Sequence, residues 1–322
     1  MNFLKNEKTG TVEGFCLIKS CDVKKTAKGL PYLDLVVADS DGEISAKYWD
    51  YNPELQGTYN SNELIKIRGT ISPFNGADQL RIERIRKCTP ADNIRIEDFV
   101  PSADYAPEIM FEELSSIASS FYDETYRKIT LEILSQNKEK LLYWPAAFKL
   151  HHAIRSGLLM HTLSMVRLAQ EACKIYDYVN SDLLLAGAIL HDIGKIGEFE
   201  VPETGLASGY TVDGTLIGHL VRGAMLIEKT AEKLGADMEK AMMLEHMVLS
   251  HHGEPEFGAA VRPMFIEAEL LSMIDTLDAK MFEMAQAVSL APEKDFSQRQ
   301  WALDNRKFYN PGGDIRPKAK LF

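Results

Sequence analysis

The sequence predicts a multidomain protein, an N-terminal all-β barrel followed by a C-terminal all-α helical bundle. Three observations predict it. Apolar and polar residues alternate from Gly14 to about Cys88; from Pro107 the apolar ones recur at helical spacing; and all eight histidines lie between His151 and His252, outside the barrel. Alternation marks half-buried strands, and a three-to-four-residue recurrence marks helices with one buried face. A chain of 322 residues has the length of roughly two domains.

Composition narrows the class. With 45% hydrophobic and 26% charged residues the chain can bury a good core. No apolar run approaches the roughly 18 residues that span a bilayer, and the first ten residues are too polar for a signal peptide. The four cysteines, Cys16, Cys21, Cys88 and Cys173, show no C-x-x-C spacing, so neither a zinc knuckle nor a disulfide framework is expected. A reduced, cytoplasmic protein without a membrane partner is the expectation. The net charge of −11 argues against a simple DNA-coating protein, but it is unevenly placed. Residues 1–90 carry 13 Lys and Arg against 12 Asp and Glu, whereas the rest carries 23 against 35. The last stretch, 291–322, is basic again. A near-neutral module joined to an acidic one suits a binding module attached to a cation-holding one.

In the barrel, Leu33, Leu35 and Val37 alternate with Tyr32, Asp34 and Val36, and Ile44, Ala46 and Tyr48 alternate with Ser45, Lys47 and Trp49. The runs Leu64–Ile71 and Leu80–Ile85 repeat the theme, with turns at Lys28–Pro31, Asp39–Gly42, Asn52-Pro53 and Asn75-Gly76. Five short strands in about 75 residues fit a small barrel, and an OB-fold is the favoured one. Lys47 and Trp49 would share one face of a central strand, a cation beside a stacking platform. Lys66 and Arg68 would share a face of the next long strand, with Phe74 on a loop. Trp49 could equally close one end of the core.

Pro90–Pro107 reads as a polar link, with a boundary near residue 100, and 91–145 as linker and packing helices (Pro107 to about Tyr122, Asp123 to Tyr143). Residues 146–290 form the chemistry-bearing bundle. One helix follows Ser156-Gly157 and displays His161. The next, capped by Ser181, is the apolar run Leu183–Leu190 ending on His191-Asp192 and Gly194, a residue suited to a helix C-terminus. Gly197–Thr211 is a loop of the length of an active-site insertion. A helix from Asp213-Gly214 carries His219, one from about Ala236 carries His246 and His251-His252, and one from Pro263 to about Val288 carries Glu267, Asp275 and Asp278. Residues 291–322 read as a polar, basic, loosely held tail.

A buried helix ending on an imidazole beside a carboxylate is costly unless both find partners, and a divalent cation would satisfy both. The candidate ligands fall one group per helix, His161, His191-Asp192, His219, His251-His252 and Asp275, which is how a bundle builds a metal site in its core. Imidazoles mixed with carboxylates suit Mn, Fe, Co, Ni or Zn; an all-oxygen set would have suggested Mg or Ca. His246 reads as a core or outer-shell residue. His151 and His152 read as surface or substrate-contact residues, and Glu267 and Asp278 as solvated or supporting ones.

His161, His191-Asp192 and Asp275, in that order on helices, resemble the H…HD…D signature of the HD-domain metal-dependent phosphohydrolases over about residues 150–285. The surrounding Gly157–His161, His191–Lys195, Gly218–Leu220, Leu249–Gly253 and Ile274–Lys280 agree with it. With an OB module in front, the whole chain is similar to the YhaM-type 3′–5′ exoribonucleases. The resemblance implies that His161, His191, Asp192 and Asp275 hold a first metal, with Asp192 bridging, and that His219 and His251 complete a second site. Mn comes first among the ions expected. It further implies Lys195 as the cation facing charge on the phosphoryl oxygens, unless it only caps a helix, and His252 as a proton donor or a further ligand. The expected substrate is single-stranded RNA, with single-stranded DNA as a second, and the expected assembly state includes a homo-oligomer. Two rival readings are an HD phosphohydrolase of free or cyclic nucleotides and a non-enzymatic, replication-associated single-strand-binding protein.

Overall fold

A computed structural model of the chain describes residues 10–39, 42–148 and 152–315, so His151 and the segment after Ile315 lie outside the described residues. It divides into two compact units. The first comprises residues 1–102 together with 201–208, and the second comprises 103–200 and 209–322.

The first unit is the OB-fold barrel. Strands β1 (Gly10–Lys25), β2 (Pro31–Asp39), β3 (Gly42–Tyr48), β4 (Leu64–Phe74) and β5 (Ala77–Lys87) close in the order β1-β2-β3-β5-β4, with a four-residue helix α1 (Pro53–Gln56) between β3 and β4. All pairings are antiparallel except β3 with β5. A register shift between Ile18 and Ser20 marks a bulge that lets the long β1 bend between its two partners. The inward set is the alternating one: Leu33, Leu35, Val37, Ala46, Ile65, Ile67, Leu80 and Ile82, all buried. Asn75 and Gly76 both have positive φ, the pair of left-handed residues that a tight two-residue hairpin needs. Phe74 therefore ends β4 rather than lying on a loop, and Trp49 follows β3 rather than sitting inside it.

The segment 201–208, expected with the bundle, belongs to this first unit. Thr204 Oγ1 donates to the Asn62 carbonyl (2.7 Å), Asn62 Nδ2 donates to the Ala207 carbonyl (3.0 Å), and Leu206 packs on Leu17, Leu64 and Val100.

The second unit is helical: α2 (Pro107–Ser119), α3 (Glu124–Leu141), α4 (Gly157–Ile175), α5 (Ser181–Leu190), α6 (Val212–Leu216), α7 (Gly218–Leu234), α8 (Met238–Ser250) and α9 (Ile266–Ser289). A short ribbon, β6 (Phe199–Glu200) with β7 (Gly209–Tyr210), precedes α6. Every residue of α5 after Ser181 is buried, as the apolar run predicts. Its cap is Asn180, not Ser181: the Asn180 side chain accepts from the Leu183 amide. The helix expected from Asp213 is broken at Ile217-Gly218, where Gly218 takes φ +77°. Residues 291–315 are not a loose tail. They run out and back through bridges Phe296–Tyr309 and Gln300–Arg306, with Ser297, Leu303 and Asn310 buried. Among the described residues no helix is long and apolar enough to cross a membrane.

Candidate metal centre

Asp192 is the hub of the bundle core. It follows the last turn of α5, is buried, and faces imidazoles with both oxygens. Oδ2 lies 3.3 Å from His191 Nε2 and 3.9 Å from His161 Nε2, while Oδ1 lies 3.6 Å from Nε2 of both His219 and His251. Asp275, on α9, places Oδ1 3.2 Å from His161 Nε2. The structure thus brings together His161, His191, Asp192, His219, His251, His252 and Asp275 from five helices. Three clusters hold ligand atoms close enough to share an ion: His161 with His191 and Asp192, His219 with His251 and His252, and His152 with His161 and Asp278.

The second nitrogens explain why these rings present Nε2 inward. His161 Nδ1 is 2.8 Å from Asp278 Oδ2, His191 Nδ1 is 2.9 Å from the Ala188 carbonyl, His251 Nδ1 is 2.8 Å from the Val248 carbonyl, and His219 Nδ1 is 3.0 Å from Glu198 Oε1. An oxygen at Nδ1 accepts its proton, so the Nε2 lone pair is left to point at the centre. At His191 and His251 this lock is local, a carbonyl three residues back on the same helix. At His161 and His219 it is a carboxylate from another element.

The set fits divalent cations. His161 Nε2 and His191 Nε2 face each other at 3.2 Å, where two lone pairs repel unless something positive lies between. Asp192 Oδ1 and His219 Nε2 are buried without a hydrogen-bond partner, and buried polar atoms are seldom left so. Burial alone would protonate Asp192, but Lys195 and His191 outweigh it and hold its pKa well below the carboxylate range. Burial opposes a charge on His161, yet Asp275 and Asp278 outweigh it, so positive charge at this ring, a proton's or a bound cation's, is favoured. The pocket is built for positive charge.

Lys195 is buried and puts Nζ 2.6 Å from Asp192 Oδ2. Burial works against its charge, and Asp192 outweighs that and raises its pKa. Its contact is with the hub carboxylate, and its carbonyl accepts from Trp144 Nε1 at 2.7 Å. His252 lies beside His219 and His251, and burial with those neighbours pushes it down to about 3. Of the two roles expected from sequence, proton donor or further ligand, a neutral imidazole suits the ligand.

Close backbone approaches set this geometry. A Cβ on Gly194 would lie 2.0 Å from the His219 carbonyl oxygen and 2.8 Å from the Gly223 amide, so the turn after Asp192 is packed directly on the start of α7. Gly194 serves that contact rather than ending a helix. A Cβ on Gly214 would lie 2.2 Å from the Glu198 carbonyl, which also accepts from Thr211 N at 3.0 Å, so the backbone that carries Glu198 is clamped.

Glu198 is the supporting residue that spacing did not single out, while Asp278, expected to be solvated or supporting, holds His161. His152, expected at a surface or against substrate, is buried, with Nε2 3.0 Å from Asp278 Oδ2 and its ring 3.9 Å from that of Phe282. Glu267 is buried too and accepts from Asn180 N at 2.7 Å. His246 accepts from Met264 N at 3.1 Å and stands on Phe265, away from the ligand clusters.

On the barrel, Trp49 stands against Tyr32 with ring centroids 4.5 Å apart, and Lys47 pairs with Asp34 beneath Tyr32. Phe74 is exposed. Lys66 and Arg68 point outward on β4 and are matched across the ladder by Arg86 and Arg84. Glu13 and Asp92 neutralise Lys66 and Arg86, whereas Arg68 and Arg84 have no carboxylate partner among the described residues. Like charges placed directly opposite on a sheet destabilise it. Arg84 and Arg86 were visible in the alternation of β5, but the register that pairs them with Lys66 and Arg68 was not.

The HD domain family model matches residues 158–280. An OB-fold barrel joined to a helical unit with this ligand array defines an enzyme of the HD hydrolase class. The sequence is 39% identical to the 3′–5′ exoribonuclease YhaM of Geobacillus sp. (strain WCH70) over 93% of this chain and 92% of that protein. It is 37% identical to that of Halalkalibacterium halodurans over 93% of both, and 38% identical to that of Listeria innocua over 94% and 95%. The chain belongs to the YhaM family of 3′–5′ exoribonucleases. Among solved structures, PriB from Ralstonia solanacearum aligns with 24% of this chain and 98% of its own at 9% identity and a TM-score of 0.21.

Proposed function

We propose that this enzyme is a metal-dependent 3′–5′ exoribonuclease of the cytoplasm, removing nucleoside 5′-monophosphates from the 3′ end of single-stranded RNA and, by the same chemistry, of single-stranded DNA. The observation that carries the reading is Asp192: one carboxylate, both of whose oxygens face clusters of inward-turned Nε2 atoms. His161, His191, Asp192 and Asp275 would hold one divalent ion, and His219, His251 and His252 a second, with Asp192 between them. Such a pair, with Mn first among Mn, Fe, Co, Ni and Zn, would supply a water readily deprotonated to the hydroxide nucleophile and Lewis-acid contact to a phosphate oxygen.

The residues of the chain supply the rest. Asp278 and Glu198 fix the rings of His161 and His219. Lys195 keeps Asp192 ionised by ion pairing. On the barrel, Arg68 and Arg84 offer unneutralised cations beside Lys66 and Arg86, while Trp49 and Phe74 offer flat apolar faces. Phosphates on one side and bases on the other are what such a surface fits. The opposed cation rows favour a polymer over a free nucleotide, since one phosphate group would not use them.

The test is a 5′-end-labelled single-stranded RNA incubated with the metal-stripped chain, with and without Mn²⁺. Mn²⁺-dependent shortening one nucleotide at a time with release of 5′-monophosphates is expected. Endonucleolytic cuts, or activity only on free or cyclic nucleotides, would contradict the reading. Asp192→Ala should abolish turnover and leave oligonucleotide binding in place.

A further inference from the structure

Residues 291–310 form an arm on the helical unit that is anchored firmly and yet holds aromatic rings in water. Its two strands join through Lys294 N to the Asn310 carbonyl (2.8 Å), Ser297 N to the Phe308 carbonyl (2.8 Å) and Gln300 N to the Arg306 carbonyl (2.9 Å). Asn310 Nδ2 donates to the carbonyls of Val288 and Ala291, tying the arm to the end of α9. Leu303 is buried near the tip. Beside it Trp301 is 73% exposed, and Phe296 and Tyr309, edge to face at 5.4 Å, are 55% and 49% exposed. A fixed loop that buries a leucine and leaves its indole outside is presenting the indole.

Each exposed ring lies two residues from an exposed cation: Lys294 and Phe296, Arg299 and Trp301, Lys307 and Tyr309. Lys307 and Tyr309 lie in extended chain, where residues two apart share a side, whereas Lys294 stands in a turn at φ +61° and Trp301 opens a short 3-10 turn. Among the described residues, none of Lys294, Arg299 and Lys307 has a carboxylate within ion-pair distance. Residues 291–310 carry 4 Lys and Arg against 3 Asp and Glu, in a chain whose net charge is −11. Interfaces between copies of a chain centre on apolar patches depleted of charge; here ring and cation alternate. Flat rings beside cations that no carboxylate neutralises are the chemistry of a single strand, bases stacking and phosphates pairing; Arg299 is steadied by its bond to the Asn305 carbonyl (3.0 Å).

We infer that this arm is a second single-strand-binding platform, carried by the catalytic unit and separate from the barrel, with Trp301 as its main stacking ring. The inference rests on the proposed RNA substrate. Full-length protein in EDTA, titrated against a fluorescein-labelled 20-nucleotide oligouridine, tests it by anisotropy across salt concentrations. Trp301→Ala should weaken binding about tenfold, and Trp301→Tyr should restore most of it. A variant with Lys294, Arg299 and Lys307 each changed to Gln should flatten the slope of log affinity against log salt by about 2. Hydrolysis of bis-p-nitrophenyl phosphate, too small to reach a platform, should be unchanged in both.

Binding by Trp301→Ala equal to wild type, together with an unchanged salt slope in the Gln variant, would overturn the inference. So would weakened binding accompanied by a change in mass on light scattering, which would make the arm a contact between copies. A wild-type chain that binds no oligouridine would instead remove the RNA substrate itself, a separate failure.

Discussion

Asp278 Oδ2 lies 2.8 Å from Nδ1 of His161, and the same oxygen lies 3.0 Å from His152 Nε2. One carboxylate thus fixes a ring at the centre and is itself fixed by a buried histidine from the loop before α4. Replacing a carboxylate that orients a ligating histidine weakens metal binding by about 10- to 100-fold. Asp278→Asn should show that loss in a Mn²⁺ titration followed by calorimetry, with the fold intact by circular dichroism. Unchanged affinity would mean that Asp278 serves packing alone.

Glu198 does for His219 what Asp278 does for His161, but from a different element. Glu198→Gln keeps the size of the side chain and weakens the hold on Nδ1. Its expected effect falls on one ion only: the second binding event should weaken about 10- to 100-fold while the first stays near wild type. Calorimetric isotherms that separate the two events check this, and equal weakening of both would show that the sites are not divided as drawn.

Much of the centre was legible in the sequence and some was not, for a physical reason. His161, His191-Asp192, His219, His251-His252 and Asp275 stand out because each is a polar group on an apolar helical face. The alternation of β2 to β5 made the barrel legible in the same way. Glu198 looked like one acid among several in a loop, since nothing local says that Thr211 and Gly214 clamp its backbone against His219. His152 is buried through Asp278, 126 residues away, a distance over which spacing carries no signal. The arm after Pro292 read as loose because its anchors, Leu303 and Asn310, are single residues in a polar stretch.

Gly194 is a position where shape alone is decisive. A methyl group there would meet the His219 carbonyl and the Gly223 amide, both backbone, so no side chain can swing aside. Gly194→Ala should destabilise the chain by about 1–3 kcal/mol, as overpacking does, and disturb His219. Thermal unfolding and Mn²⁺ stoichiometry together check it; a wild-type melting temperature would show that the turn can shift.

Away from the centre, Asp123 caps α3, accepting from the amides of Thr125 and Tyr126, and pairs with Lys240. Burial pushes its pKa up, but Lys240 and these amides outweigh that and hold it below 3.8. A depressed carboxyl stabilises the fold at pH above its unfolded value and loses that contribution as pH falls through its folded value. Asp123→Ala should therefore cost about 1 kcal/mol at pH 7, the usual loss of a cap. Urea unfolding should show the gap from wild type narrowing below about pH 4, near the free Asp value. A gap that widens in acid would contradict the assignment.

The most direct measurement is the number of Mn²⁺ ions bound per folded chain, determined by equilibrium dialysis and elemental analysis alongside RNA hydrolysis. Two ions in the wild type, fewer in Asp192→Ala, and no hydrolysis after chelation are the predicted results. RNA hydrolysis that persists in a chain stripped of metal would contradict a centre built around Asp192.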